Sequence, residues 1–197
     1  MDLTLVPART ALVVIDLQRG IAQAPTAPHR ASDVVAHAAA LAVAIRATGG
    51  SVVLVHVTPS ADGRDALHPH TDTPARGSGL LPADWAEIVS ELGPEPGDIV
   101  VTKRQWGAFY GTELDLQLRR RGIDTILLAG ISTNVGVEST ARDAYERGYE
   151  QVFVEDAMAA RSREEHANTV RTLFPRIGRV RSTAEVLAAL EAATTQV

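Results

Sequence analysis

The chain has 197 residues, is 45% hydrophobic and 22% charged, and carries a formal net charge of −5. This length and balance predict one globular domain, residues 1–197, without a nucleic-acid-binding surface, since the only basic block is 119–121. The absence of cysteine excludes disulfides, thiolate metal sites and thiol catalysis. We find neither a signal-peptide pattern nor an apolar run near the ~20 residues of a membrane helix, so we expect a cytoplasmic protein without membrane contact.

Short apolar runs alternate with helical patterns along the chain. The runs predict six strands, at residues 11–15, 51–57, 98–102, 126–129, 151–155 and 178–181. The patterns between them predict helices over about 33–48, 84–92, 112–121, 135–148, 162–173 and 182–194. Three pairs predict capping boxes: Thr112 with Asp115, Ser162 with Glu165, and Ser182 with Glu185. Such alternation is typical of a mainly parallel sheet with helices on both faces.

Residues 58–82 carry repeated Pro and Gly, which predicts an irregular loop; a loop of this length is usually functional, often a lid or a binding loop. The loop holds His68, His70 and Asp72, a candidate metal cluster, but Pro69 between the histidines disfavours fixed ligation. His56, inside the second predicted strand, is expected to be a hydrogen-bonded core histidine. We therefore expect no metal and no cofactor.

Two charged residues follow predicted strands, where open α/β sheets bind their ligands. Asp16 follows the first strand and Lys103 the third, while residues 131–136 follow the fourth. Lys103 is the only lysine among 19 basic residues, which indicates a task for a compact ammonium that a guanidinium cannot perform. The alternatives to a catalytic role are that Asp16 is a turn or cap residue and that Lys103 is a solvated loop charge. The paired charges favour catalysis.

Other signals leave alternatives open. No GxGxxG follows the first strand and no Walker A loop is present, so a dinucleotide or phosphate-loop site is not indicated. Trp106, Phe109 and Tyr110 either wall an apolar pocket or pack beneath the loop.

Three segments resemble the isochorismatase-like hydrolases: ALVVIDLQRG at 11–20, the long motif from TKRQWGAFYG to ARDAYERGY at 102–149, and VFVEDAMAARSREEH at 152–166. The resemblance covers about residues 10–186. It implies a three-layer α/β/α fold with a six-stranded parallel sheet in the order 3-2-1-4-5-6. Cysteine-dependent members of that family use an Asp, a Lys and a Cys.

Matched motif by motif, the family's Asp is Asp16, its Lys is Lys103, and its Cys falls on Gly136, within TNVGVES. The resemblance also implies a cis peptide between Ile131 and Ser132 that shapes an oxyanion site. The substrate or oxyanion site is expected to comprise Gln18, Trp106, Phe109, Ile131, Ser132 and Gly136.

Without a thiol, the acyl-enzyme route through cysteine is closed. Hydroxyls lie nearby in sequence, on Ser132, Thr133, Ser139 and Thr140, but the sequence names no general base for them. Family members without the Cys hydrolyse an enol ether, with an Asp handling protons and water attacking directly. We expect the Lys103 ammonium to lower the pKa of Asp16, and Lys103 to reach across the second strand, since the two strands lie about 10 Å apart.

The sequence thus predicts a hydrolase of a small anionic molecule, using Asp16 and Lys103 without a covalent cysteine intermediate. Two alternatives remain: an inactive small-molecule-binding member of the family, or an amide hydrolase using activated water. The expected partner is a small-molecule substrate, and the family implies a homo-oligomer.

Overall fold

The computed structural model describes residues 3–67, 69–73 and 81–195. Its six strands are β1 (Thr10–Ile15), β2 (Ser51–Val57), β3 (Ile99–Lys103), β4 (Thr125–Ile131), β5 (Glu150–Ala159) and β6 (Arg179–Arg181). They pair in parallel throughout, in the order β3-β2-β1-β4-β5-β6. The expected sheet order is confirmed. All six residues of β1 are buried, as the continuous apolar run predicts for a central parallel strand.

The helices are α1 (Arg19–Ala22), α2 (Ala31–Ala47), α3 (Leu114–Arg120), α4 (Glu138–Glu146), α5 (Arg163–Thr172), α6 (Phe174–Ile177) and α7 (Thr183–Thr195). Short 3₁₀ turns occur at Pro7–Arg9 and Ser90–Leu92, and a π-helical turn at Thr133–Val137 leads into α4. In the part of the chain described, no helix has the length and apolar character needed to cross a bilayer.

Alternate residues of the strands point to two separate cores. Leu12 and Val14 pack with α2 and α7 on one face of the sheet. Val13 and Ile15 pack with α3, α4 and α6 on the other. This period of two along a strand, with helices covering both faces, produces the predicted three layers.

The predicted helix over 84–92 is wrong. Residues 83–86 form a turn, and only Ser90–Leu92 is helical. The segment pairs instead with the chain after β1: Arg19 N donates to Glu87 O, Gly20 N to Trp85 O, and Val89 N to Leu17 O. Because these backbone groups form hydrogen bonds with residues 17–20, they are not available for the hydrogen bonds of a helix over 84–92.

Two of the three capping boxes are confirmed, since Ser162 with Glu165 and Ser182 with Glu185 exchange both bonds. The box at Thr112 and Asp115 does not form. The Thr112 hydroxyl donates to Ala108 O, and Asp115 instead accepts a hydrogen bond from Tyr149.

The fifth strand is longer than predicted, and the predicted loop is irregular where it is described. The fifth strand runs on to Ala159, with a register shift opposite Leu128 and Gly130. In the described parts of the loop, 58–67, 69–73 and 81–82, no helix or strand occurs; His68 lies outside the described residues.

Candidate active site

The chain turns sharply where β1 ends. Asp16 has φ 55°, and among the described residues it is the only one besides glycine with positive φ. Asp tolerates this left-handed conformation better than most residues, and such strain is characteristic of functional sites. Beside it, Gly130 of β4 has φ 125°, and a Cβ there would lie 2.0 Å from Ile15 O. Only glycine therefore lets β4 approach the end of β1 this closely.

The side chains of Asp16 and Lys103 meet at the carboxyl ends of the strands. Lys103 Nζ donates to Asp16 Oδ2 at 2.8 Å, to Gln105 O at 3.1 Å and to Trp106 O at 2.9 Å. Lys103 is 2% exposed, so the interpretation of it as a solvated loop charge is wrong, and it does reach across β2 as expected. All three ammonium protons have acceptors, which fits the choice of lysine over arginine.

The electrostatics of Asp16 differ from the expectation. Burial raises the pKa of Asp16 to about 6, outweighing the attraction of Lys103 that would lower it. Asp16 is 5% exposed, and within the described residues its Oδ1 has no hydrogen-bond partner. A carboxyl group with a pKa near 6 exchanges a proton readily close to neutral pH.

The pair opens onto a cavity of about 390 Å³. The predicted residues that line it are Asp16, Lys103, Trp106, Ile131, Ser132 and Gly136. A wider outer cavity, about 680 Å³, adjoins it and shares Trp106, Ser132, Val135 and Arg161 as lining residues. Loop residues Leu67, Pro69, Thr71 and Thr73 also line this outer cavity, as a binding loop would. The role of the loop 58–82 as a lid stays a prediction.

The turn after β4 forms one wall of the inner cavity. The peptide between Ile131 and Ser132 is cis, as the resemblance implies. Ser132 O accepts hydrogen bonds from Val135 N and Val137 N, which begins the π-helical turn. Gly136 thereby lies directly beside the Asp16 carboxylate.

No side chain fits at Gly136 without displacement of its neighbours. A Cβ there would lie 2.9 Å from Ile15 Cγ2 and 3.1 Å from Asp16 Oδ2. Because Gly136 has no side chain, Ile15 and the Asp16 carboxylate pack closely at the position where, by the resemblance, other family members carry a thiol.

We expect Gly136→Ala to reduce kcat/KM by roughly tenfold or more and to destabilise the fold by about 1–3 kcal/mol, because the added methyl overpacks Ile15 and crowds Asp16. Gly107→Ala is the matched control, since its Cβ would make ordinary contacts of 3.6–3.7 Å with Ser139. Steady-state kinetics and urea unfolding of both variants measure the effect. Equal kcat/KM and equal stability of the two variants would show that activity and folding do not require glycine at position 136.

One nearby hydroxyl does face a histidine. Thr133 Oγ1 lies 2.8 Å from His166 Nδ1, and His166 Nε2 lies 3.0 Å from Glu155 Oε1. Burial lowers the pKa of His166 against the opposing effect of Glu155. Thr133 is fully buried, however, and lines neither cavity, so this arrangement lacks access to a substrate. Thr140 is likewise occupied, donating to Gly136 O and accepting from Ala108 N.

Two predicted site residues line neither cavity. The Gln18 amide donates to Val57 O and Trp85 O and accepts from Val57 N, so it fixes the backbone around the site. Phe109 is 3% exposed and packs in the core against Tyr149, with ring centroids 5.7 Å apart. The aromatic residues therefore divide: Trp106 walls the cavities, Phe109 is core, and Tyr110 is exposed.

Trp85 and Arg161 are two of the lining residues that sequence reasoning missed. Trp85 lines the inner cavity, and its indole fills the space where a Cβ on Gly20 would lie, only 1.9 Å away. Arg161 lines both cavities, and within the described ranges its guanidinium has no ion-pair or hydrogen-bond partner. No local pattern distinguishes Arg161 from the other arginines; only the fold shows it at the cavity.

The sheet order defines a three-layer α/β/α protein, with a buried carboxylate–ammonium pair at the carboxyl edge of its sheet. Residues 10–185 match the Isochorismatase domain. The isochorismatase family protein YwoC of Bacillus subtilis (strain 168) is 56% identical over 180 residues, which cover 91% of this chain and 93% of YwoC. The chain belongs to the isochorismatase family, whose members are generally hydrolases.

Two further similarities bear on the site. A solved isochorismatase family protein from Burkholderia thailandensis is 49% identical, with a TM-score of 0.91 and coverage of 95% of this chain and 98% of that one. The ureidoacrylate amidohydrolase RutB of Pantoea ananatis is 36% identical over 175 residues, 77% of this chain and 69% of RutB.

Proposed function

We propose that this protein hydrolyses a small anionic molecule by direct attack of water, assisted by Asp16 and Lys103. The observation that carries the proposal is the state of Asp16: one carboxylate oxygen is held by Lys103, the other has no hydrogen-bond partner among the described residues, and both belong to a carboxyl group with a pKa of about 6 at the cavity. The chain has no cysteine to form a thioester. Water and substrate would meet in the inner cavity, which Gly136 lines.

Each group has a defined part in the proposed reaction. Ionised Asp16 accepts a proton from water as the water oxygen attacks the substrate. Asp16 then donates that proton to the leaving group. Lys103 fixes the carboxylate orientation and favours its ionised form. The turn that contains Ile131, Ser132 and Gly136 lines the cavity, and its backbone would stabilise the negative charge that develops on the substrate oxygen.

The activity should therefore depend on the ionisation of Asp16. Because water activation requires the carboxylate, we expect kcat/KM to rise with pH through an apparent pKa near 6 and to level off above pH 7. A full pH–rate profile measures this. A rate that instead falls as pH rises through 6 would mean that Asp16 acts first as a proton donor, as in cleavage of an enol ether.

Arg161 supports an anionic substrate. A guanidinium without a partner among the described residues, on the wall of both cavities, is suited to a carboxylate. We expect Arg161→Gln to raise KM by roughly 10- to 100-fold with a smaller effect on kcat. Arg163→Gln is the matched control, because Arg163 carries the same charge two residues away and lines neither cavity. Equal KM values for both variants would remove Arg161 from the site.

An amide is the second candidate substrate type. RutB is named as an amidohydrolase of ureidoacrylate, and the same water-activating site would serve an amide. Reaction in H₂¹⁸O, with panels of small carboxylate-bearing amides and enol ethers, tests the proposal: the label should enter the product, and no covalent enzyme adduct should be trapped. No turnover of any panel member, together with ligand-dependent thermal stabilisation, would support the inactive binding alternative instead.

We also propose a homo-oligomer, as the family resemblance implies. Light scattering coupled to size-exclusion chromatography measures the assembly state. Elution at the mass of one chain would contradict this expectation.

A further inference from the structure

Two histidines and a glutamate meet outside the catalytic cavities. His29 precedes α2, Glu155 lies in β5 and His166 in α5. Glu155 Oε1 lies 3.2 Å from His29 Nε2 and 3.0 Å from His166 Nε2, and one ligand atom from each residue lies within 4.8 Å of the other two. None of the three lines either cavity, so the proposed hydrolysis leaves this cluster without a role.

The spacing of the ligand atoms suits a tetrahedral ion. Zn²⁺ binds His nitrogen and carboxylate oxygen at about 2.0–2.1 Å, which places ligand atoms about 3.3 Å apart at the corners of a tetrahedron. Two of the three spacings are already close to this value. The His29 side chain is 28% exposed, so its ring has room to move and shorten the third spacing, between the Nε2 atoms of His29 and His166.

A second contact prepares His166 to be a ligand. Its Nδ1 is hydrogen-bonded to Thr133 Oγ1 at 2.8 Å. When Nδ1 carries the proton and donates it to this hydroxyl, Nε2 presents its lone pair toward Glu155 and His29. Metal-bound histidines almost always have such a partner on the other ring nitrogen, because it fixes the tautomer and the ring orientation.

We propose that His29, Glu155 and His166 bind a divalent transition-metal ion, with Zn²⁺ the best match, and that water completes the coordination. The exposed fractions of the side chains, 28% for His29, 35% for Glu155 and 3% for His166, place the open position on the side of His29 and Glu155. The ion would tie the segment before α2 to β5, α5 and, through Thr133, to the turn beside the catalytic pair. Its role is structural, and no step of the proposed hydrolysis passes through it.

Metal titration of the full chain tests this site without any assay of activity. After chelator treatment and dialysis, we expect saturable one-to-one binding of Zn²⁺ in the micromolar range or tighter. Co²⁺ should produce the visible absorption bands of four-coordinate cobalt. At a hundredfold excess of Zn²⁺ over its Kd, the Tm should rise by roughly 5–10 °C.

Variants assign the binding to these residues. We expect His29→Ala to weaken Zn²⁺ binding at least tenfold and to abolish the Co²⁺ bands, and Thr133→Val to weaken binding by about tenfold. His37→Ala is the matched control, because His37 bonds to the backbone of Asp156 and does not belong to the cluster. Circular dichroism in chelator verifies that each variant is folded. Absence of saturable binding, or equal binding by His29→Ala and the wild type, would overturn the proposal and leave a hydrogen-bonded cluster without an ion.

Discussion

Asp16→Asn is expected to reduce kcat by about 10²- to 10⁴-fold, the range typical of removing a general acid–base group. Asparagine tolerates the left-handed backbone at this position and keeps the side-chain volume, so the fold should be retained. What the amide cannot do is accept a proton from water. The variant should also lose the rise of kcat/KM with pH through 6, leaving a flat residual profile.

The matched control for this change is Asp98→Asn. Asp98 is also a buried carboxylate in an ion pair, with Arg46, but it lies just before β3, at the opposite end of that strand from Lys103. We expect Asp98→Asn to lose stability while retaining kcat. Wild-type turnover by Asp16→Asn would refute the proposed mechanism, whatever the substrate.

Lys103→Met is expected to abolish measurable turnover and to destabilise the protein by about 3–5 kcal/mol above neutral pH, because it leaves the Asp16 carboxylate buried without its partner. The loss should be smaller at pH 5. Without the ammonium, the pKa of Asp16 rises further, so the folded state keeps its proton at low pH and stability declines as pH increases. Urea unfolding at pH 5 and pH 8 measures this difference.

Two further variants separate charge from packing. Lys103→Arg should also lose activity, because the larger guanidinium has no room in a position that is 2% exposed with all three acceptors in place. The double variant Asp16→Asn/Lys103→Met should be more stable than Lys103→Met at pH 8, since it removes the unpaired charge. Arg104→Met is the control and should change stability little, because its ion pair with Asp65 is exposed. A stable, active Lys103→Met would contradict the pairing.

The apolar runs and their Gly and Pro boundaries are local signals, which is why all six strands could be placed from sequence. Asp16 and Lys103 were predicted because the carboxyl ends of parallel strands share one edge, and because a single lysine stands out. The segment 84–92 was mispredicted because its hydrogen bonds go to residues 17–20, distant in sequence.

The remaining features of the site depend on distances that only the fold creates. The direction of the Asp16 pKa shift could not be predicted, since sequence shows the neighbouring charge but not how completely water is removed. Arg161 and Trp85 were missed because their place at the cavity depends on packing between segments far apart in the chain. The cluster of His29, Glu155 and His166 was invisible for the same reason.

The Gln18 amide holds both ends of the long segment that runs from Val57, where the chain leaves the sheet, to Trp85. With its ends anchored in this way, the intervening chain is free to change length, since closing a longer loop costs only slightly more entropy. Relatives could thus exchange this segment and acquire new substrates while the proposed catalytic pair, Asp16 and Lys103, keeps its position. Grafting the corresponding segment from a relative onto this scaffold offers a direct route to altered selectivity with the chemistry intact.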